Sequence, residues 1–266
     1  MTIPRDLQTP ELVIVTGAGR GIGRNIALTM GNLGAEILCV SQSERARHTA
    51  ETIVANGGVA DWLSVDLSDC NKAEASVSQW LGGKSFSRIG LALAAGTLGP
   101  AGPLSSSSLS SWDLVFRTNV LGNLAVTKAA LPAMQNGRYG RMAFFAGGGA
   151  AYAYPVFPAY AASKAALVRV VENLHEDLKD RGDFAVVILA PGAVETDTLA
   201  EVKRNGGYVR TTVSIDEPVE FVKQFLCARH CSFSGCFVHV RDIWQTFLNS
   251  DEQLCSKDLW MLRRVE

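Results

Sequence analysis

The stretch that most constrains this chain is Leu12-Val13-Ile14-Val15 running into Thr16-Gly17-Ala18-Gly19-Arg20-Gly21-Ile22-Gly23. A short continuous apolar run reads as a strand buried on both faces, the kind found in parallel sheets. Ile26, Ala27, Met30 and Leu33 then recur at helical spacing, and Gly34 stops the helix. Strand, glycine-rich turn and helix, in that order, are the setting in which a glycine cluster binds phosphate. Glycines let backbone N–H groups approach a pyrophosphate, which then sits at the positive end of the helix. The spacing is TGxxxGxG rather than GxGxxG, with Gly17, Gly21 and Gly23 at the key places.

The alternation continues along the chain. Glu36 to Val40 is a second strand ending in Ser41-Gln42-Ser43, and Ala46, Ala50, Ile53 and Val54 mark a helix up to Asn56-Gly57-Gly58. In dinucleotide folds an acid at this strand end binds the adenosine ribose 2′-hydroxyl and repels a 2′-phosphate. Ser41 is no acid, and Arg20 lies in the loop beside the expected ribose. Both favour NADP(H) over NAD(H), with Arg45 a further cation nearby. Strand three, Ala60 to Val65, delivers Asp66, followed by Leu67, to its carboxyl end, where Asp66 is placed to accept from the adenine amino group.

Strand four, Ile89 to Ala94, leads to Ala95-Gly96 and a Gly/Pro/Ser-rich loop, Thr97 to Ser111. Ser110 is the expected N-cap of a helix beginning near Trp112, with Asp113 three residues on. Asn119 falls in the middle of that helix. Asparagine is a poor helix-interior residue, so a local bend that frees a carbonyl for water is expected there. Strand five, Arg141 to Ala146, precedes Gly147-Gly148-Gly149, and a helix follows over 159–179. Strand six, Phe184 to Leu189, ends in Ala190-Pro191-Gly192; a lid-like segment, Ala193 to Ser214, a helix, Pro218 to Ala228, and a strand, Cys236 to Val240, complete the order. Alternating strands and helices without a composition break argue for one doubly wound α/β domain over 1–266. This is a Rossmann fold with a parallel sheet and helices on both faces. Its dinucleotide half runs over about 12–140, its catalytic and substrate half over about 141–266.

Within the second half, Tyr160-Ala161-Ala162-Ser163-Lys164 places a tyrosine and a lysine one helical turn apart. An ammonium there favours the phenolate and is expected to pull the Tyr160 pKa below its ordinary value of about 10. A tyrosine tuned this way is a general acid/base for alcohol–carbonyl interconversion. The spacing alone is common, and a shared helix face is the plainer explanation; the nucleotide loop is what raises the pair above it.

Composition excludes other classes. A formal net charge of −1 gives no electrostatic case for nucleic acid or an anionic membrane. Met142 to Ser163 is long and uncharged, but glycines 147, 148 and 149 and prolines 155 and 158 break it into strand and loop. With no signal pattern over Met1 to Glu11, a cytoplasmic protein is expected. Cysteines at 39, 70, 227, 231, 236 and 255 show no disulfide-scaffold density. Cys227, Cys231 and Cys236, near His230 and His239, have no CxxC-type spacing, so no metal site is expected.

These motifs together resemble the short-chain dehydrogenase/reductase family along nearly the whole chain. The likeness rests on TGAGRGIG at 16–23, Asp66 in Val-Asp-Leu, Ala95-Gly96, Asn119, Tyr160-xxx-Lys164 and Pro191-Gly192-Ala193-Val194-Glu195-Thr196. Within the family the likeness is to ketoreductases. The resemblance implies that Gly17, Gly21 and Gly23 wrap the pyrophosphate and Asp66 binds adenine, with Arg20, Ile22, Ser41, Leu67, Ala95 and Gly96 around the cofactor. It implies that Tyr160 passes the proton and Lys164 holds the nicotinamide ribose. Asn119 would anchor a water linking Lys164 to solvent, and Thr196, with Pro191 and Gly192, would fix the nicotinamide carboxamide. A small-molecule carbonyl or alcohol substrate and a homodimer or homotetramer are implied as well.

Three departures stand out. The family's Asn-Asn-Ala-Gly is here Ala94-Ala95-Gly96, and the family's active-site serine, thirteen residues before the tyrosine, is Gly147. Losing one such donor costs on the order of 10²–10³ in turnover; Tyr152, Tyr154, the glycine backbone or a substrate hydroxyl are candidate replacements. The tail, Arg241-Asp242-Ile243-Trp244 and Leu262-Arg263-Arg264-Val265, also differs from the family's usual ending. The alternative function is a dinucleotide-binding sensor or partner protein that has lost turnover. Arg204, Tyr208 and Arg210 in the lid would suit an anionic substrate, although a solvated surface is the plainer reading.

Overall fold

A computed structural model describes residues 8–147, 149–209, 211–248 and 260–262. Gly148, Arg210, Cys255 and residues 263–265 of the tail therefore lie outside the described residues. The order opens with β1 (Leu12–Thr16), α1 (Gly21–Asn32), β2 (Glu36–Ser41), α2 (Arg45–Ala55), β3 (Val59–Ser64), α3 (Cys70–Leu81) and β4 (Ile89–Leu93). It continues with α4 (Leu109–Phe116), a π-turn over Arg117–Leu121, α5 (Gly122–Gly137), β5 (Tyr139–Phe145), α6 (Pro158–Leu178) and β6 (Asp183–Ala190). Then come β7 (Ala193–Val194), α7 (Asp197–Arg204), β8 (Thr212–Val213), α8 (Asp216–Cys227) and β9 (Phe237–His239).

Seven strands form one sheet in the order β3-β2-β1-β4-β5-β6-β9, every neighbouring pair parallel. The period of two in a strand explains how β1 is buried throughout. Val13 and Val15 pack into one hydrophobic layer with Ile26, Met30, Phe221 and Phe225 of α1 and α8. Leu12 and Ile14 pack into the opposite layer with Val77, Val126, Leu167 and Val171 of α3, α5 and α6. Each such side chain contributes ~1.5–3 kcal/mol by leaving water. The expected doubly wound architecture is the one observed. Because β1 pairs with β2 on one side and β4 on the other, the direction of winding reverses there. A crevice opens at the carboxyl ends of the strands, where open α/β sheets bind ligands.

Two local features depart from the sequence reading, and a third is present with a partner the sequence did not show. Helix α3 is additional. Asp69 caps it by accepting from the Lys72 N–H, and Ala73, Val77 and Leu81 make its buried stripe. Helix α4 starts at Leu109 rather than near Trp112, because Ser108 is the cap. Ser108 is extended, at φ −82° and ψ 148°, and its hydroxyl accepts from the Ser111 N–H. The hydroxyl of Ser110, the expected cap, instead pairs with that of Ser108. Finally, the bend at Asn119 is present as the π-turn, and the Asn119 carbonyl accepts from Asn123 Nδ2 at 2.9 Å. A side chain one turn on supplies the donor.

Candidate active site

One cleft of about 1870 Å³ lies along the carboxyl ends of the strands. It is lined by Gly17, Arg20, Gly21, Ile22, Gly23, Ser41, Asp66, Leu67, Ala95, Gly96, Tyr160, Lys164, Pro191, Gly192 and Thr196. Of the catalytic and cofactor residues named from sequence, Asn119 alone does not reach the cleft wall; it is fully buried.

At one end of the cleft, β1 stops at the glycine turn. Gly17 and Gly21 sit at φ +68° and +54°, a region that disfavours side chains. A Cβ on Gly23 would stand 2.5 Å from the Gly17 carbonyl oxygen, and one on Gly17 would stand 3.0 Å from the Ala95 nitrogen. Arg20 precedes α1 without capping it by its side chain, so the first N–H groups of the helix keep their open hydrogen-bonding positions. A glycine cradle of this kind, at a helix N-terminus, fits a dinucleotide pyrophosphate. Thr16 and Asn123 hold the cradle. Thr16 Oγ1 donates to Asn123 Oδ1 at 2.7 Å and accepts from the Ala95 N–H, while Asn123 Nδ2 donates to the Ala95 carbonyl. Asn123 escaped the sequence reading. Its signal was a second asparagine inside the same helix, one turn after Asn119.

Asp66 stands just beyond β3. Its Oδ1 accepts from the Ser68 N–H and its Oδ2 from Gln42 Nε2, both at 2.9 Å. Nearby, the Ser41 hydroxyl donates to the Ser43 carbonyl. Thr196 caps α7 by accepting from the Leu199 N–H, and donates to the Val194 carbonyl.

Toward the middle of the cleft, Pro158 opens α6 at a position where its missing N–H is harmless. Lys164 Nζ donates to the Phe145 carbonyl at 2.8 Å, and its side chain is 3% exposed. A Cβ on Gly96 would lie 3.5 Å from that Nζ and 3.3 Å from Asn119 Oδ1. Asn119 is itself tied into the framework. It accepts from the Thr97 N–H and donates to the Thr97 carbonyl and to the Ser163 hydroxyl. Ser163 in turn donates to the Tyr160 carbonyl, so Asn119 anchors the first turn of α6. Ser163 is a second residue missed from sequence.

The electrostatics correct one expectation. Tyr160 is not acidified: burial pushes its phenol well above the ordinary value, with Tyr154 and Tyr152 adding to the shift. Lys164 moves the other way, its burial bringing the ammonium down from 10.5 to about 8. The Lys164 Nζ lies 5.5 Å from the centre of the Tyr160 ring and is committed to Phe145. Withdrawal from water penalises the charged form of each group, and at this separation that effect outweighs their mutual attraction. A neutral phenol results.

Gly147 has a direct consequence for Tyr160. The phenol oxygen occupies the position that a Cβ at residue 147 would take. In the lid, Tyr208 lines the cleft and Arg204 is not among the lining residues. Tyr152, Tyr154, His239 and Arg241 border the same cleft. Among the described residues, no three His, Cys, Asp or Glu side chains gather as a metal site, and no helix is long and apolar enough to cross a membrane.

The parallel sheet, its switch point and the glycine cradle define a doubly wound α/β protein of the Rossmann type. The chain belongs to the short chain dehydrogenase family, whose sequence model matches residues 11–206. It is 30% identical over 214 residues to versicolorin reductase 1 of Dothistroma septosporum, covering 78% of this chain and 79% of that protein. A short chain dehydrogenase of Pseudocercospora fijiensis is 31% identical over 190 residues, which span 70% of this chain and 60% of the relative's own length. Among solved structures, a chain from Beutenbergia cavernae assigned as an NAD(P) dependent gluconate 5-dehydrogenase, with NADP at low occupancy, superposes with a TM-score of 0.76. It is 25% identical, with 89% of this chain and 97% of that chain covered. The family is one of oxidoreductases.

Proposed function

We propose that this protein interconverts a small-molecule carbonyl and a secondary alcohol, using NADP(H) and Tyr160 as the proton donor or acceptor. The observation that carries the reading is that Tyr160 and Lys164 line the same cleft as the glycine cradle, with Asn119 anchoring their helix from behind. When bound, NADP(H) supplies or accepts the hydride. Gly17, Gly21 and Gly23 would hold the pyrophosphate, Asp66 the adenine, Lys164 the nicotinamide ribose and Thr196 the carboxamide, with Ile22, Leu67, Ala95, Gly96, Pro191 and Gly192 around the cofactor. A phenol kept neutral by burial is ready to donate its proton to a substrate oxygen, which suits reduction. The Lys164 ammonium then stabilises the phenolate left behind.

Ser41 in place of an acid, with Arg20 and Arg45 beside it, supports NADP(H) over NAD(H). NADPH is therefore expected to bind about tenfold tighter than NADH, or about 1.4 kcal/mol better; equal dissociation constants in a titration would remove this part of the reading. The reaction is tested by following NADPH oxidation over a panel of ketones. Tyr160→Phe is expected to lower turnover by about 10² or more while NADPH still binds. A rate untouched by that substitution would remove Tyr160 from the chemistry.

One observation favours a second reading. The phenol rests against Gly147 where a hydroxyl donor would stand in relatives, which is compatible with a nucleotide-binding sensor that has lost turnover. Robust turnover on any ketone of the panel would end that alternative.

A further inference from the structure

Three parts of the fold meet at the adenosine end of the cleft: the glycine loop at Arg20, the β2–α2 connection at Ser41 and Arg45, and the lid at Asp197. Arg20 Nη1 donates to Asp197 Oδ2 at 2.7 Å, and Arg45 Nη1 lies 3.9 Å from the same oxygen. A Cβ on Gly19 would lie 2.8 Å from Arg45 Cβ and 3.3 Å from Ser41 Oγ, so both the arginine and the serine crowd the glycine loop. On the lid side, Asp197 is the first residue of α7. Its neighbour Thr196 sets a methyl 3.4 Å from where a Cβ on Gly21 would be. The lid is thus held on the glycine loop by the Arg20–Asp197 ion pair, with the Thr196 methyl facing Gly21.

The charge balance at this meeting point is two cations against one carboxylate. A phosphate monoester brings a charge of about −1.5 to −2 at neutral pH and binds arginine strongly through paired N–H groups. Arg20 and Arg45 are cations it can take at this meeting point, and both lie within 4 Å of Asp197 Oδ2. A carboxylate here acts as an acid at the end of the second strand would act, but from the opposite wall of the cleft.

We propose that Asp197 is a specificity-determining residue of the cofactor cleft and the latch of its lid. Its carboxylate competes with a 2′-phosphate for Arg20 and Arg45. The phosphate of NADP(H) takes these cations from the lid and lets the start of α7 lift from the glycine loop. The inference rests on the NADP(H) reading above. As the first residue of α7, Asp197 also favours the helix through its dipole, but that role is indifferent to which nucleotide is present.

The test measures dissociation constants of 2′,5′-ADP, NADPH and NADH by calorimetry for the wild type, Asp197→Asn and Asp197→Ser. It also follows amide exchange over Asp197–Arg204 with and without 2′,5′-ADP. In both variants 2′,5′-ADP and NADPH are expected to bind about threefold tighter, as suits exposed charges, with the gain fading at high salt and NADH unchanged. In the wild type 2′,5′-ADP is expected to speed exchange across α7, and in the variants exchange is expected to be fast already. Affinities for 2′,5′-ADP equal in all three proteins, or wild-type exchange indifferent to it, would overturn the proposal. If the wild type still prefers NADPH in that case, the latch alone falls. If it holds NADH as tightly as NADPH and ignores 2′,5′-ADP, the NADP(H) reading falls with it.

Discussion

Replacing Lys164 by methionine is expected to stabilise the protein at neutral pH, although the lysine is central to the proposed chemistry. The ammonium is buried, and its pKa is lowered from 10.5 to about 8. At about 1.4 kcal/mol for each pH unit, keeping it charged inside the fold costs roughly 3 kcal/mol at pH 7. Methionine has a similar shape and removes that cost. It also leaves the buried Phe145 carbonyl without its Lys164 donor, a loss of about 1–3 kcal/mol. The net expectation is a gain of up to about 2 kcal/mol at pH 7. The sign of the pH dependence follows from the direction of the shift. Between pH 8 and 10.5 the unfolded chain keeps the Lys164 proton and the native chain gives it up, so wild-type stability rises with pH in that window. The advantage of the variant is therefore full below about pH 8 and close to zero near pH 10. Guanidinium unfolding of both proteins without cofactor, at pH 7 and pH 10, measures it. A variant less stable than the wild type at pH 7, or a difference that does not shrink as the pH rises, would refute the argument from burial.

Two further outcomes test the framework around Tyr160. Gly147→Ser, which restores the family's hydroxyl, is expected to destabilise by about 1–3 kcal/mol, because its Cβ collides with the phenol oxygen; thermal unfolding and tyrosine near-ultraviolet dichroism report the displacement, and an unchanged melting temperature and spectrum would contradict the packing described. Asn123→Ala leaves Thr16 and the Ala95 carbonyl without their buried partner, so a loss of about 1–3 kcal/mol together with weaker NADPH binding is expected, and unaltered unfolding would show that this network does not hold the cradle.

Much of the architecture was legible in the chain because it depends on local spacing. Apolar runs and helical periodicity located the strands of the sheet, and the glycine turn after β1 located the cradle, since the left-handed backbone at Gly17 and Gly21 favours glycine. Helix α3 escaped because its buried stripe is only three residues, Ala73, Val77 and Leu81, set among polar ones. The start of α4 shifted because Ser108 and Ser110 offer equally good hydroxyls, and the backbone around them chooses between the two.

The sequence alone determined which chemical groups are available: a glycine loop, Asp66, and a tyrosine and lysine one turn apart. Tertiary structure alone decided how they behave. Arg20 meets Asp197 across 177 positions, and Lys164 is taken by a carbonyl 19 positions away. The phenol goes up in pKa rather than down because segments distant in the chain close around it and withdraw it from water. Spacing along a helix reports which groups are neighbours; it carries no measure of how much water the rest of the fold leaves them.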